Sequence, residues 1–205
     1  MTSAQSGAGK SEKTRQKIVT TSRDLFAKKG YSETSVRDIL EAAEISKGNL
    51  YHHFKGKEFL FLHIMEEDHR YMMETWNAEK KALPLATDKL AGFAELISHM
   101  NINYPLMRAS EEFCASAFTS DEVMARMNKI DVDFDDVMRD ILLEGNEDGS
   151  WSIQNVESKV KILLSVFYGL GVLYKNDTIE QKIELQKEAI SLFIHGIHHH
   201  EKQLS

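Results

Sequence analysis

Apolar residues recur every three or four positions along most of this chain, the spacing that lines one face of an α-helix. Ile18, Ser22, Leu25 and Phe26 share such a face, with Lys and Arg elsewhere, and Gly30 ends the pattern behind Lys28 and Lys29. Cations suit the last turn of a helix, and glycine suits its cap. The pattern predicts helices over 11–29, about 36–43 and 47–54, then over 57–80, 85–102, 105–119, 120–145, 153–174 and 179–199. Ser35 is placed to cap the second, with Asp38 three residues on, and Ser46 to cap the third. Residues 145–149 and 176–178 read as turns, and Pro84 closes the fourth segment. Residues 1–10 lack periodicity and read as disordered. Gly9-Lys10-Ser11 looks like the end of a phosphate-binding loop, but position 4 is Ala and no strand precedes it, so the match is rejected.

Composition strengthens the all-α reading. Only two prolines interrupt 205 residues. A single cysteine, Cys114, excludes an internal disulfide framework and any multi-cysteine metal centre. It reads as a small hydrophobe, and His195 and His199, although four apart, read as a solvated tail, so no metal or cofactor is expected. No apolar run reaches membrane-spanning length and no secretory leader is visible, so the expected address is the cytoplasm.

Charge divides the chain. Residues 1–58 hold 11 Lys and Arg against 7 Asp and Glu, whereas residues 59–205 hold 14 against 25. A basic head on an acidic body suits a protein whose head alone meets a polyanion. The head also carries two short helices joined at Glu44-Ile45, a helix-turn-helix pattern. In the second, Leu50 and Phe54 are i,i+4 partners facing inward, which leaves Lys47, Gly48, Tyr51, His52 and His53 towards solvent. A helix presenting donors and apolar atoms fits the major groove of DNA. Lys47 suits phosphate or guanine, Gly48 allows close backbone approach, and Tyr51 and His52 reach phosphates or thymine methyls. Ser46 opens this helix. His53 and Lys57 suit backbone phosphates, and Ser35, Val36 and Arg37 stand at the start of the supporting helix, where N–H groups hold a strand.

Phe26-Ala27-Lys28-Lys29-Gly30-Tyr31, then Thr34 to Ile39, then Ser46 to Glu58 together resemble the TetR family of one-component repressors. The resemblance implies an N-terminal three-helix DNA-binding head on a larger helical body that binds a ligand and dimerises. The boundaries it suggests are 1–10 disordered, 11–58 head and 59–205 body. Tyr104-Pro105-Leu106, Met127-Asn128-Lys129, Glu144-Gly145-Asn146 and Gly149 to Ile153 extend the likeness to a multidrug-binding repressor of that family.

The implied function is a repressor that binds an inverted-repeat operator in double-stranded DNA as a homodimer and is released by a small lipophilic effector, cationic or neutral, with efflux control as the setting. Trp76 and Tyr104 offer π-faces to such a ligand, Met72, Phe113 and Phe134 an apolar wall, and Asp68, Glu112 and Asp131 charge balance. Met72, Asn101 and Cys114 stand where the resemblance would lead one to expect aromatic or acidic side chains. Ile162, Val166, Gly169, Leu170 and Leu173 on one of the last helices, with Ile183, Ala189, Ile190, Phe193 and Ile197 on the other, are the expected dimer face. The alternatives are a metabolic regulator answering to a fatty acid, flavonoid or polyamine, and a helical interaction scaffold that binds no DNA. No Gly-x-Ser-x-Gly, His-Glu-x-x-His or glycine loop after a strand occurs, so no enzyme is expected.

Overall fold

The computed structural model describes residues 3–102, 105–116, 120–174 and 177–200. Among these residues the regular elements are all helical: α1 Ser3–Lys29, α2 Val36–Ala43, α3 Lys47–His53, α4 Lys57–Glu79, α5 Ala86–Ile102, α6 Met107–Ala115, α7 Asp121–Asp148, α8 Val156–Leu173 and α9 Ile179–His200. A 3-10 turn, Lys80–Ala82, follows α4. No described helix is long and apolar enough to cross a membrane.

Several boundaries differ from the periodicity; α8, for one, opens three residues later than expected, at Val156 behind the Asn155 cap. Helix α1 starts at Ser3, so its first turns include residues 3–10, which sequence alone reads as disordered. No proline interrupts them, and extending a helix avoids the cost of nucleating one. Helix α7 runs through the expected turn at 145–149 and stops at Asp148, where Gly149 adopts φ +81°. Gly145 therefore serves packing rather than chain reversal. A Cβ there would lie 2.0 Å from the Trp151 indole, which is pinned by its Nε1–H donating to the Leu142 carbonyl at 2.8 Å.

The helices group into two compact units. The first comprises residues up to 69 and 105–127, and thus α1 to α3, the start of α4, α6 and the start of α7. Its core contains Ile18, Phe26, Ile39, Leu50, Leu60, Phe61 and Phe113. Tyr31 packs among the rings, with centroids 6.0 Å from Phe26, 5.2 Å from Phe61 and 4.9 Å from Phe113. The second unit comprises 70–104 and the residues from 128 onwards. Its core joins Met72, Trp76, Leu90, Phe93, Met138, Leu142, Trp151, Leu163, Phe167 and Ile190. Fully burying side chains of this size contributes about 1.5–3 kcal/mol each, which is why amphipathic helices of modest intrinsic propensity hold together.

Candidate functional site

The site is built by its caps. Ser35 forms a capping box, accepting from the Asp38 N–H at 3.1 Å while its own N–H donates to Asp38 Oδ2 at 2.8 Å. The Lys29 ammonium, 2.9 Å from Asp38, and then the Ser35 donors hold that carboxyl well below the usual range. Helix α2 ends at Glu44 in the left-handed region, φ +54°, and the chain turns at once into α3. Ser46 caps α3 by accepting from the Asn49 N–H at 3.2 Å. The side chains of Ser35 and Ser46 are thus occupied in starting helices, whatever else they meet. Leu50 is fully buried and Phe54 nearly so, which fixes the roll of α3.

That roll leaves Lys47, Gly48, Tyr51 and His52 exposed on one short helix. The Tyr51 side chain is 47% exposed, and the Lys47 amine stands 5.8 Å from its ring centroid. His53 is half-buried, and burial first, then His52 and Arg15, keep its imidazole below the ordinary value and so neutral at pH 7. It can offer a hydrogen bond but little charge. Arg37 is exposed in the first turn of α2, the helix that supports α3, and pairs with Glu41 at 2.7 Å, and Val36 is half-buried. Lys57 points elsewhere. Its Nζ donates to the Tyr31 carbonyl at 2.8 Å and lies 4.1 Å from the Tyr31 ring centroid, and burial lowers its pKa. The neighbouring Lys55 remains exposed in the turn, and sequence reasoning did not single it out.

The described effector candidates divide between the two units. Asp68, Glu112 and Phe113 belong to the first unit. Asp68 accepts from Arg23 Nη1 at 2.7 Å. Glu112 accepts from the Ser32 N–H and from Arg108 Nε, both at 2.8 Å, and those bonds lower its pKa. Phe113 is fully buried against Tyr31 and Phe61. These three side chains thus have structural partners of the kind that local spacing cannot reveal. Met72 and Trp76 are buried in the second unit, where Trp76, Phe93 and Phe134 form a chain of rings 4.9 and 6.4 Å apart. Asp131 is exposed. Tyr104 lies outside the described residues, as does the side chain of Asn101. A pocket of about 300 Å³ in this unit is floored by Trp76, Val137 and Ile141 and rimmed by Lys80, Lys81, Lys89, Asp140 and Glu144. Cys114 is exposed, not a core residue.

The last two helices also sort their apolar residues differently from expectation. On α8, Ile162, Val166 and Leu173 are exposed as anticipated, joined by Tyr168. On α9, Ile190 is buried and Phe193 packs against the core of its own unit, whereas Leu185 and Leu192 are exposed. The physical reason is the helical phase, since Ile190 and Phe193 fill the unit's interior. Ile197 lies beyond the described side chains.

Comparison with known proteins agrees with this architecture. The profile of bacterial regulatory proteins of the tetR family matches residues 18–64, and that of the QacR-like C-terminal region matches residues 68–199. The HTH-type transcriptional regulator QacR of Staphylococcus aureus is 31% identical over 89% of this chain and 97% of its own. A putative TetR-family regulator from Syntrophomonas wolfei superposes with a TM-score of 0.71 at 23% identity, covering 89% of this chain and 95% of the other. The regulator FadR of Bacillus subtilis, solved with stearoyl-CoA, gives 0.69 at 19% identity, covering 89% and 98%. The last two likenesses concern the fold.

Proposed function

This chain belongs to the TetR family of bacterial regulatory proteins, and from that premise we propose that it is a ligand-responsive transcriptional repressor acting as a homodimer on an inverted-repeat operator. The observation that carries the proposal is the outward face of α3. Lys47, Gly48, Tyr51 and His52 stand exposed on a helix whose opposite side is locked by buried Leu50. Lys47 and Tyr51 supply charge and a hydroxyl at the groove, Gly48 admits the backbone to a base edge, and Arg37 reaches a flanking phosphate once it leaves Glu41. Ser35, Val36 and Ser46 act through the helix starts they build, and His53 as a neutral donor. A second copy covers the apolar faces of α8 and α9, where Tyr168, Leu173 and Leu192 are 69%, 76% and 66% exposed. Two-fold pairing presents two α3 helices to successive major grooves, hence the inverted repeat.

For the effector we favour a lipophilic molecule, neutral or cationic, meeting Met72, Trp76, Phe134 and Tyr104, with Asn101 and Asp131 as polar partners and efflux control as the setting. Asp68 and Glu112 are already balanced by Arg23 and Arg108, which supports a ligand held chiefly by apolar and aromatic contacts. A metabolic effector such as a fatty acid is the second reading, because that pairing takes two of the three candidate acids out of selecting a cation. Release follows if the effector prefers the spacing of heads that DNA does not accept.

The test is a gel shift with DNA from upstream of the chain's own gene. Wild type is expected to retard it, and Lys47→Ala and Tyr51→Ala to abolish specific retardation while keeping helicity and dimer mass. A lipophilic cationic dye is then titrated against a long-chain fatty acid. Retained operator affinity in both variants would overturn the DNA assignment.

A further inference from the structure

We propose that Glu122, in the first turn of α7, is a positioning residue that holds the lysine of the recognition turn away from DNA and so sets operator affinity. The inference rests on the DNA-binding reading above. Two lysines flank Gly56 directly after α3. Lys57 is committed to the Tyr31 carbonyl. Lys55 is exposed, with its amine 5.0 Å from the Phe59 ring centroid and its partner the Glu122 carboxylate, which it contacts through Oε2. Glu122 is separated from Lys55 by 67 positions yet belongs to the same compact unit.

The carboxylate has a second cation beside it. Its Oε1 lies 3.9 Å from Arg126 Nη1, and Arg126 is clamped to Glu66 of α4 by two bonds, at 2.7 and 2.5 Å. Lys55, Glu122, Arg126 and Glu66 thus alternate in sign across the turn after α3, the start of α7 and the body of α4. They line or adjoin a pocket of about 200 Å³ that also takes in Arg15, His53 and His63. A lysine seated on a carboxylate makes the same ionic contact that it would make with a phosphate oxygen. Glu122 therefore competes with the DNA backbone for Lys55 and keeps it from a phosphate contact that it would otherwise make.

An exposed ion pair contributes about 0.2–1 kcal/mol, equal to about 1.4- to 5-fold in affinity. Glu122→Gln keeps the shape and removes the competitor. It is expected to tighten DNA binding by that factor per protomer, or about 2- to 25-fold for a dimer on two half-sites. It should also steepen the dependence of log K on log salt by about 0.9 per added phosphate contact. Removing any acid near DNA gives some gain, so the decisive readout is non-additivity. In a Lys55→Met background the Glu122→Gln gain should vanish, and Asp121→Asn in wild type should not reproduce it. Should Glu122→Gln fail to fold, Glu122→Asp, whose shorter side chain weakens the contact, takes its place with a smaller gain.

Affinity is read on the upstream DNA and on an unrelated duplex at low salt, because the electrostatic contribution does not depend on sequence. No gain, a gain that survives in the Lys55→Met background, or an equal gain in Asp121→Asn overturns the role of Glu122 while leaving the repressor reading intact. A wild-type protein that binds neither duplex overturns the repressor reading and this inference with it.

Discussion

Gly30 is where the first unit can be tested most sharply. It ends α1 at φ +83°, its N–H donates to the Phe26 carbonyl at 2.8 Å, and its carbonyl accepts from the Thr34 hydroxyl at 2.7 Å. A Cβ at this position would stand 2.6 and 2.7 Å from the two carboxylate oxygens of Glu112. Gly30→Ala therefore carries two separable penalties. Left-handed backbone costs an L-residue about 1–2 kcal/mol. Displacing the carboxylate weakens its bond from the Ser32 N–H, which, as a partly exposed bond to a charged group, is valued at about 1–2 kcal/mol. The lower entropy of the unfolded alanine chain returns about 0.4–1 kcal/mol. The net loss is about 1–3 kcal/mol, a fall in Tm of roughly 2–12 °C for a chain of this length. The assay is thermal unfolding followed by circular dichroism on a double-mutant cycle with Glu112→Ala. Without the carboxylate, Gly30→Ala should retain only the backbone strain, so the two substitutions should couple by about 1 kcal/mol. The same coupling should fade in acid. The Ser32 and Arg108 bonds hold Glu112 below its ordinary value of 4.5, so its contribution is complete above that value and is lost as pH falls through the depressed one. Strict additivity at pH 7, or an unchanged Tm for Gly30→Ala, would refute the reasoning.

Three further outcomes follow from the same geometry. Gly145→Ala forces a methyl into the Trp151 indole and is expected to cost about 2–4 kcal/mol by overpacking; denaturant titration checks this, and Trp151→Leu in the same chain should recover part of the loss. Burial first, then Glu58, pushes the Tyr31 phenol up to about 12, so the native state should lose stability between pH 10 and 12, and Tyr31→Phe should flatten that loss in urea melts across the range. Lys57→Met should lower thermal stability yet leave the salt slope of DNA binding nearly unchanged, because its amine serves the Tyr31 carbonyl; a slope reduced by about one per protomer would return Lys57 to the phosphate contacts.

The amino-acid sequence is legible where a residue is fixed by its near neighbours in the chain. Local grammar carries the helix-turn-helix: the Ser35 and Ser46 caps, the inward pair Leu50 and Phe54, and the exposed Lys47 and Tyr51 all lie within four residues of what fixes them. Gly145 shows the first limit. In a run of Gly, Asn and Asp it reads as a turn, but the helix passes through it because Trp151, six residues on, needs the space of a missing side chain. Ile190 and Phe193 show the second. Periodicity says that they are on one face, but not whether that face meets its own core or another chain, and the exposed residues on α9 turn out to be Leu185 and Leu192. The third limit is reach. Glu112 meets Ser32 across 80 positions, Glu122 meets Lys55 across 67, and Arg126 meets Glu66 across 60. An acid on a helical face looks the same from its neighbours whether it awaits a cationic ligand or grips a backbone amide. Asp68 and Glu112 read from the sequence as charge balance for a cationic ligand; in the structure Asp68 accepts from Arg23 and Glu112 from the Ser32 N–H, within the unit that carries α3.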